Sequence, residues 1–152
     1  LSTVVAIVVA IVVIPLTSAL SDRIGRRPVI ASACIGYLLC AYPMFTLLSS
    51  GETRYIILAQ IILGVLFGTY AGAPFSAMIE LFATRVRYTA FSVGYNVAIA
   101  IFGGTAPMIA AWLVSTTDLA QAPAFYVMGA ALIGLVAVFF ISETSRIPLK
   151  TE

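Results

Sequence analysis

A ten-residue segment between two apolar runs holds the charged side chains with the clearest chemical purpose. Residues 18–27 read Ser-Ala-Leu-Ser-Asp-Arg-Ile-Gly-Arg-Arg. Asp22 can accept hydrogen bonds or face the N-terminus of a neighbouring helix, the arginines can bind carboxylates or helix C-termini, and Gly25 permits a tight turn. The arginines are Arg23, Arg26 and Arg27. Such a turn can hold two groups of helices together and release them. The alternative is that its positive charge only fixes the orientation of the helices.

The elements that position this turn are predicted from composition. The chain has 152 residues, of which 62% are hydrophobic and only 9% are charged, whereas soluble domains carry roughly a quarter charged residues. We therefore predict an all-α integral membrane protein. Because the sequence starts at Leu1, already inside an apolar run, we expect the C-terminal part of a longer protein rather than a cleaved signal peptide.

Five apolar runs are long enough to cross a bilayer, which needs about 20 residues per helix. They cover residues 2–20, 29–48, 55–79, 88–114 and 124–141, approximately. Of the eight Lys and Arg residues, seven lie in the turns after the first and third runs and in the tail after the fifth. Basic residues mark the cytoplasmic side, so we predict an N-terminus outside and a cytoplasmic C-terminus.

Several other functions are not expected from these residues. The sequence has no His, and its cysteines, Cys34 and Cys40, lie six apart in one apolar run, where they resemble packing residues. We expect no metal site, no cofactor, no enzymatic activity and no nucleic-acid partner. The expected partners are the lipid bilayer and a small-molecule substrate.

Three motifs resemble those of the major facilitator superfamily. Residues 18–27 match the pattern G-x-x-x-D-[RK]-x-G-[RK]-[RK], except that Ser18 replaces the leading glycine. Residues 80–87 resemble an E-x-F-P-x-x-x-R element, with Ala83 in place of proline, and residues 142–146 resemble a P-E-T-type box, with Ser142 in place of proline. The run 80–98, followed by 101–107, is similar to the metabolite:H⁺ symporter family, whose members carry proline and betaine, α-ketoglutarate, citrate or shikimate.

This resemblance implies the fold and the function. The five spans would be the eighth to twelfth helices of a twelve-helix carrier in the cell (inner) membrane, acting as a monomer by alternating access and proton symport. Its substrate would be a small organic acid or a zwitterionic osmolyte. A uniporter or exporter with the same motifs, or a non-transporting membrane sensor on the same fold, are the alternatives.

The resemblance also implies a cytoplasmic gate. Glu80, Arg87 and Glu143 would form a charge network with Arg26 or Arg27, and Asp22 would contact the other half of the carrier when the cytoplasmic side is closed. No acid lies near the middle of any span, so the proton-coupling group is expected upstream of this sequence.

Two spans carry further candidates. In the third span, Gly64, Gly68 and Gly72 lie four apart, which predicts close helix packing within the chain, with dimerisation as the alternative. The fourth span places Ser92, Asn96, Ala100, Gly103 and Pro107 along roughly one face. Asn96, with Tyr95 and Ser92 near it, is a candidate for lining a cavity, and the alternative is that Asn96 bonds a neighbouring helix. Gln60 and Tyr70 are weaker candidates for the cavity lining, and Tyr126 is predicted to anchor the fifth span at the membrane interface.

Overall fold

The computed structural model describes residues 2–74 and 86–140. Six α-helices and one π turn account for nearly all of them, and no strand occurs in these two segments. The elements, in chain order, are α1 (Ser2–Ile24), α2 (Arg26–Leu48), α3 (Thr53–Gly72), α4 (Arg87–Ala98), the π turn (Ile99–Gly103), α5 (Gly104–Thr117) and α6 (Pro123–Phe140).

Five of the resulting helical segments are long and apolar enough to span a membrane. Four of them are α1, α2, α3 and α6, and the other is the continuous segment Tyr88–Thr117 formed by α4, the π turn and α5. The predicted all-α membrane fold is therefore confirmed. The third helix ends at Gly72 rather than continuing through residue 74 as a regular helix, and the rest of its predicted range, 75–79, lies outside the described residues.

The closest helix pairing joins α1 to α3 through small residues. Gly64, Gly68 and Gly72 are all buried on the side of α3 that faces α1. A Cβ atom at Gly64 would lie 2.7 Å from the carbonyl oxygen of Ala6, and one at Gly68 would lie 2.8 Å from the side chain of Val13. The glycine stripe therefore packs two helices of the same chain, as predicted.

A second group of contacts joins α2 to α3 and α6 near the turn that connects α1 to α2. Its buried residues are Val29, Ile30, Cys34, Ala73 and Val138. Cys34 is fully buried and serves as a packing residue, whereas Cys40 is half-buried. This small core fixes α2, α3 and α6 relative to one another near the turn at Gly25.

The fourth membrane segment is irregular at its centre. The backbone N–H of Gly104 donates to the carbonyl of Ile99, five residues earlier, which defines the π turn Ile99–Gly103. A π turn contains about one residue more than an α-helical turn, so positions before and after it do not keep the same helical register. The predicted face from Ser92 to Pro107 is consequently broken at Ala100–Gly103, because that prediction assumed a regular α-helix.

Candidate functional site

The charged turn is built on a backbone conformation that requires glycine. Gly25 separates α1 from α2 with φ 121° and ψ 154°, a region that residues with a Cβ atom essentially never occupy. Its N–H donates to the carbonyl of Ser21 at 3.0 Å, which closes the last turn of α1 before the chain reverses. Gly25 is also buried, so the end of α1 and the start of α2 lie in contact. The predicted tight turn at this glycine is present.

One arginine of the turn is buried rather than solvated. Arg26 retains only 7% of its accessible surface and lies in the first turn of α2. Its guanidinium forms an ion pair with Asp22 at 2.5 Å and donates to the hydroxyl of Ser21 at 2.7 Å. Ser21, which is completely buried, donates in turn to the carbonyl of Ser18 at 2.8 Å. The four residues Ser18, Ser21, Asp22 and Arg26 form what we call the inner polar cluster.

A second arginine reaches a different helix. The Nε of Arg27 donates to the carbonyl of Val138 at 3.2 Å, and its Nη2 donates to the carbonyl of Phe139 at 2.9 Å. These carbonyls belong to the last described turn of α6. Arg27 therefore joins the start of α2 to α6, and the turn links α1, α2 and α6.

The other predicted gate residues are placed as follows. Arg23 is exposed at the end of α1, and the carboxylate of Asp22 is also largely exposed, with 58% of its side-chain surface accessible. Arg87 begins α4, but its side chain, Glu80 and Glu143 lie outside the described residues. The charge network predicted among the last three residues thus stays a prediction.

A cleft of about 340 Å³ opens between the inner half of α3 and the fourth membrane segment. Four aromatic rings contribute to its lining: those of Phe67, Tyr70, Tyr95 and Phe102. The smaller residues that complete it are Ala71, Pro74, Ala98, Ile99 and Gly103. Tyr70 and Phe67 also line a neighbouring cleft of about 260 Å³ toward α2 and α6, which includes Tyr37.

Two of the five candidate cavity residues, Tyr70 and Tyr95, line this aromatic cleft, and the other three do not. Asn96 is exposed, and its side-chain amide donates to the carbonyl of Ser92 in its own helix at 2.7 Å. The predicted role of Asn96 stays a prediction. Ser92 is exposed and Gln60 is half-buried on α3.

Sequence reasoning missed three contributors to these two sites. Position 21 is variable in the motif, so no signal identified Ser21 as the partner of Arg26. Phe67 was detectable, because it lies three residues before Tyr70 and hence on the same helical face. Phe102 was not detectable, because the π turn decides its direction. Tyr126, predicted as an interfacial anchor, directs its hydroxyl at the carbonyl of Phe102, 3.4 Å away.

Within residues 2–74 and 86–140, no cluster of three His, Cys, Asp or Glu side chains could hold a metal ion. The arrangement offers instead membrane-length helices, a charged turn that links helix ends, and an aromatic cleft at helical irregularities. This combination defines a multi-pass membrane protein.

Comparison with known proteins identifies the family. The family described as "Sugar (and other) transporter", a branch of the major facilitator superfamily, matches residues 1–151, and the chain belongs to it. The chain is 34% identical over 147 residues to the ectoine/proline transporter ProP of Corynebacterium glutamicum, covering 97% of this chain and 29% of that protein. It is 36% identical to the glycine betaine/proline/ectoine/pipecolic acid transporter OusA of Dickeya dadantii, covering 90% and 27%.

A third relative has a different cargo in its name. The citrate-proton symporter of Klebsiella pneumoniae is 33% identical over 139 residues, covering 91% of this chain and 31% of that protein. The chain therefore spans less than a third of the length of these curated relatives. No solved structure gives a significant match to it. The relatives are transporters, which agrees with the predicted class, and none of the three is named as an enzyme.

Proposed function

We propose that the chain forms the eighth to twelfth helices of a twelve-helix carrier in the cell membrane. The carrier moves a small organic acid or zwitterion together with protons by alternating access. Family membership and the names of the relatives, which include an ectoine/proline transporter and a citrate-proton symporter, support this proposal. The observation that carries the gating part is the turn at residues 21–27, which links α1 to α2 through Arg26 and α2 to α6 through Arg27.

The orientation in the membrane follows from charge. Three arginines flank the turn between α1 and α2, whereas only Arg54 lies beside the connection between α2 and α3 and the connection between α5 and α6 holds no basic residue. Because basic connections stay on the cytoplasmic side, the turn at Gly25 is cytoplasmic and the N-terminus of α1 is outside. A monomer is the favoured assembly, because the glycine stripe that could support dimerisation is already covered by α1.

The turn acts as a gate because its contacts can exist in one state and be absent in the other. The inner polar cluster holds Asp22 at the membrane surface with most of its carboxylate accessible. In the inward-closed state, that carboxylate contacts the other half of the carrier, and Glu80, Arg87 and Glu143 complete the network around Arg26 and Arg27. An exposed ion pair contributes only about 0–1 kcal/mol, so several such contacts must act together to bias the equilibrium.

Proton coupling requires a titratable group within the membrane-spanning helices, and the described helices of this chain supply no carboxylate away from their ends. The acidic side chains among the described residues are Asp22, Glu52 and Asp118, and all three lie at helix ends. The coupling group therefore belongs to the other half of the carrier, where a carboxylate can reach both sides of the membrane in turn.

Uptake into membrane vesicles containing the complete carrier tests the function. Labelled proline, betaine, citrate, α-ketoglutarate and shikimate are offered with and without a proton uncoupler. Accumulation of one solute that collapses with uncoupler is expected. Uptake that ignores the uncoupler would instead indicate a uniporter, and efflux without uptake would indicate an exporter.

The gate is tested separately with Asp22→Asn. We expect the turnover rate to fall at least about tenfold, equivalent to about 1.4 kcal/mol, while substrate affinity changes less than about twofold. Asp118→Asn is the matched control, because Asp118 is an exposed acid at the opposite helix end with a left-handed φ of 53° that asparagine also adopts. Normal turnover in the Asp22 variant would rule out the gating role.

A further inference from the structure

We propose that the aromatic cleft beside the π turn binds the ammonium group of a methylated or cyclic zwitterion, so that betaine-like solutes rather than polycarboxylates are the cargo. This inference rests on the proposed transport function and specifies its substrate class. The cleft lies between α3 and the fourth membrane segment, and the rings of Phe67, Tyr70, Tyr95 and Phe102 contribute to its lining.

The rings provide the attraction. The face of an aromatic ring carries negative charge density and attracts a cation placed within about 6 Å, most strongly where water is excluded. A quaternary or secondary ammonium suits such a site because its charge is spread over methyl or methylene groups that also pack against the rings. No carboxylate contributes to the described lining of this cleft, so the rings and the backbone must recognise the cation.

The backbone of the fourth segment adds a second element. Pro107 has no N–H and cannot donate to the carbonyl of Gly103, its usual α-helical acceptor four residues earlier, and Gly103 lines the cleft. Irregular helical backbone at membrane depth is tolerated where it is buried in protein or lines a cavity. A carbonyl dipole beside the rings complements a cation and repels a carboxylate, which favours the ammonium end of a zwitterion over citrate.

The size of the cleft also fits a small solute. Its volume of about 340 Å³ lies at the lower end of the range of about 300–1,000 Å³ for ligand sites. Tyr70 and Tyr95 lie on the two sides of it, on α3 and α4 respectively. A ligand between them contacts both helices.

The test uses the complete carrier and labelled glycine betaine. Tyr70→Leu and Tyr95→Leu remove one ring each, Tyr70→Phe keeps the ring, and Tyr55→Leu is the control, because Tyr55 is an exposed tyrosine on α3 that does not line the cleft. Each leucine variant of the cleft is expected to raise KM about tenfold with kcat within about twofold, corresponding to a loss of about 1.4 kcal/mol in binding. Tyr70→Phe should raise KM less than Tyr70→Leu does, and Tyr55→Leu should remain within about twofold of wild type.

A neutral isostere separates recognition of charge from recognition of shape. 3,3-Dimethylbutyrate has the outline of betaine but carries carbon where betaine carries the cationic nitrogen. 3,3-Dimethylbutyrate should compete only weakly with betaine, and it should compete equally in wild type and in the leucine variants. If the variants weaken both compounds equally, or if neither variant changes the KM for betaine, the proposal is wrong.

Two further results distinguish this inference from the proposed function. Uncoupler-sensitive uptake of citrate without any uptake or binding of betaine would overturn the inference and leave proton-coupled transport intact. Betaine binding measured by calorimetry on purified carrier, lost in the leucine variants but unaccompanied by uptake, would support the cleft and overturn transport. The calorimetric measurement uses whichever of the two leucine variants purifies as a folded protein.

Discussion

The substitution Gly64→Ala adds one methyl group and should destabilise the protein, although alanine favours helix formation more than glycine does. Gly64 is buried against α1, and an added Cβ atom would lie 2.7 Å from the carbonyl oxygen of Ala6 and 3.1 Å from its Cα. Ordinary van der Waals contact begins at about 3.4 Å, so the oxygen is too close by about 0.7 Å. The obstacle is backbone, so no side-chain rotation relieves it, and the helices must separate.

The magnitude of the destabilisation follows from the loss of contacts along the whole interface between α1 and α3. A gap of about 0.5–1 Å forfeits a quarter to a half of the dispersion energy of each contact. Overpacking of this kind costs about 1–3 kcal/mol, against a gain of about 1 kcal/mol from the higher helix propensity of alanine. We therefore expect a net destabilisation of up to about 2 kcal/mol for Gly64→Ala.

Gly129→Ala is the matched comparison, because Gly129 lies inside α6 and a Cβ atom there would meet nothing within 4 Å. This variant should be neutral or up to about 1 kcal/mol more stable. Both are measured as thermal or denaturant unfolding of the purified protein in mild detergent. Equal stability of the two variants, or a gain in Gly64→Ala, would refute the packing of α1 on α3.

Two further perturbations address the turn. Gly25→Ala should cost about 1–3 kcal/mol, because an alanine cannot adopt φ 121° without strain, and unchanged thermal unfolding would contradict the turn geometry. Arg27→Gln should weaken the hydrogen bonds to the carbonyls of Val138 and Phe139 by about 1 kcal/mol and so accelerate amide exchange in the last described turn of α6 about fivefold, as seen by mass spectrometry. Arg23→Gln is its control, since Arg23 is exposed, and equal exchange in the two variants would contradict a stabilising role of these bonds.

The sequence was sufficient to predict the membrane helices and their closest contact. Length and apolar content identify a helix that crosses a bilayer with little dependence on its neighbours, so the predicted ranges agree with the observed helices within a few residues at most ends. The spacing of Gly64, Gly68 and Gly72 identified the seam because only small residues allow two helix backbones to approach closely.

The interior of the fourth segment could not be predicted in the same way. An apolar run looks the same whether it contains an α-helical or a π turn, because hydropathy does not register one additional residue per turn. The additional residue changes the direction of the side chains that follow it in the segment. Ser92 and Asn96 therefore do not share a face with Gly103, and Phe102 lines the cleft. Pro107 and the pair of glycines before it indicated an irregularity but not its kind.

The count of basic residues did not predict that Arg26 is buried, and the reason is physical. A count of basic residues treats each arginine as a solvated anchor, and by that measure the three arginines of the turn are equivalent. The structure makes them different: Arg23 is exposed, Arg27 binds main-chain carbonyls of α6, and Arg26 is buried. A buried cation is tolerated only where partners replace its water, and Asp22 and Ser21 are two such partners. In the gate proposed above, a contact that draws Asp22 toward the other half of the carrier would compete with its ion pair to Arg26, and this competition would couple the gate to the contact between α1 and α2.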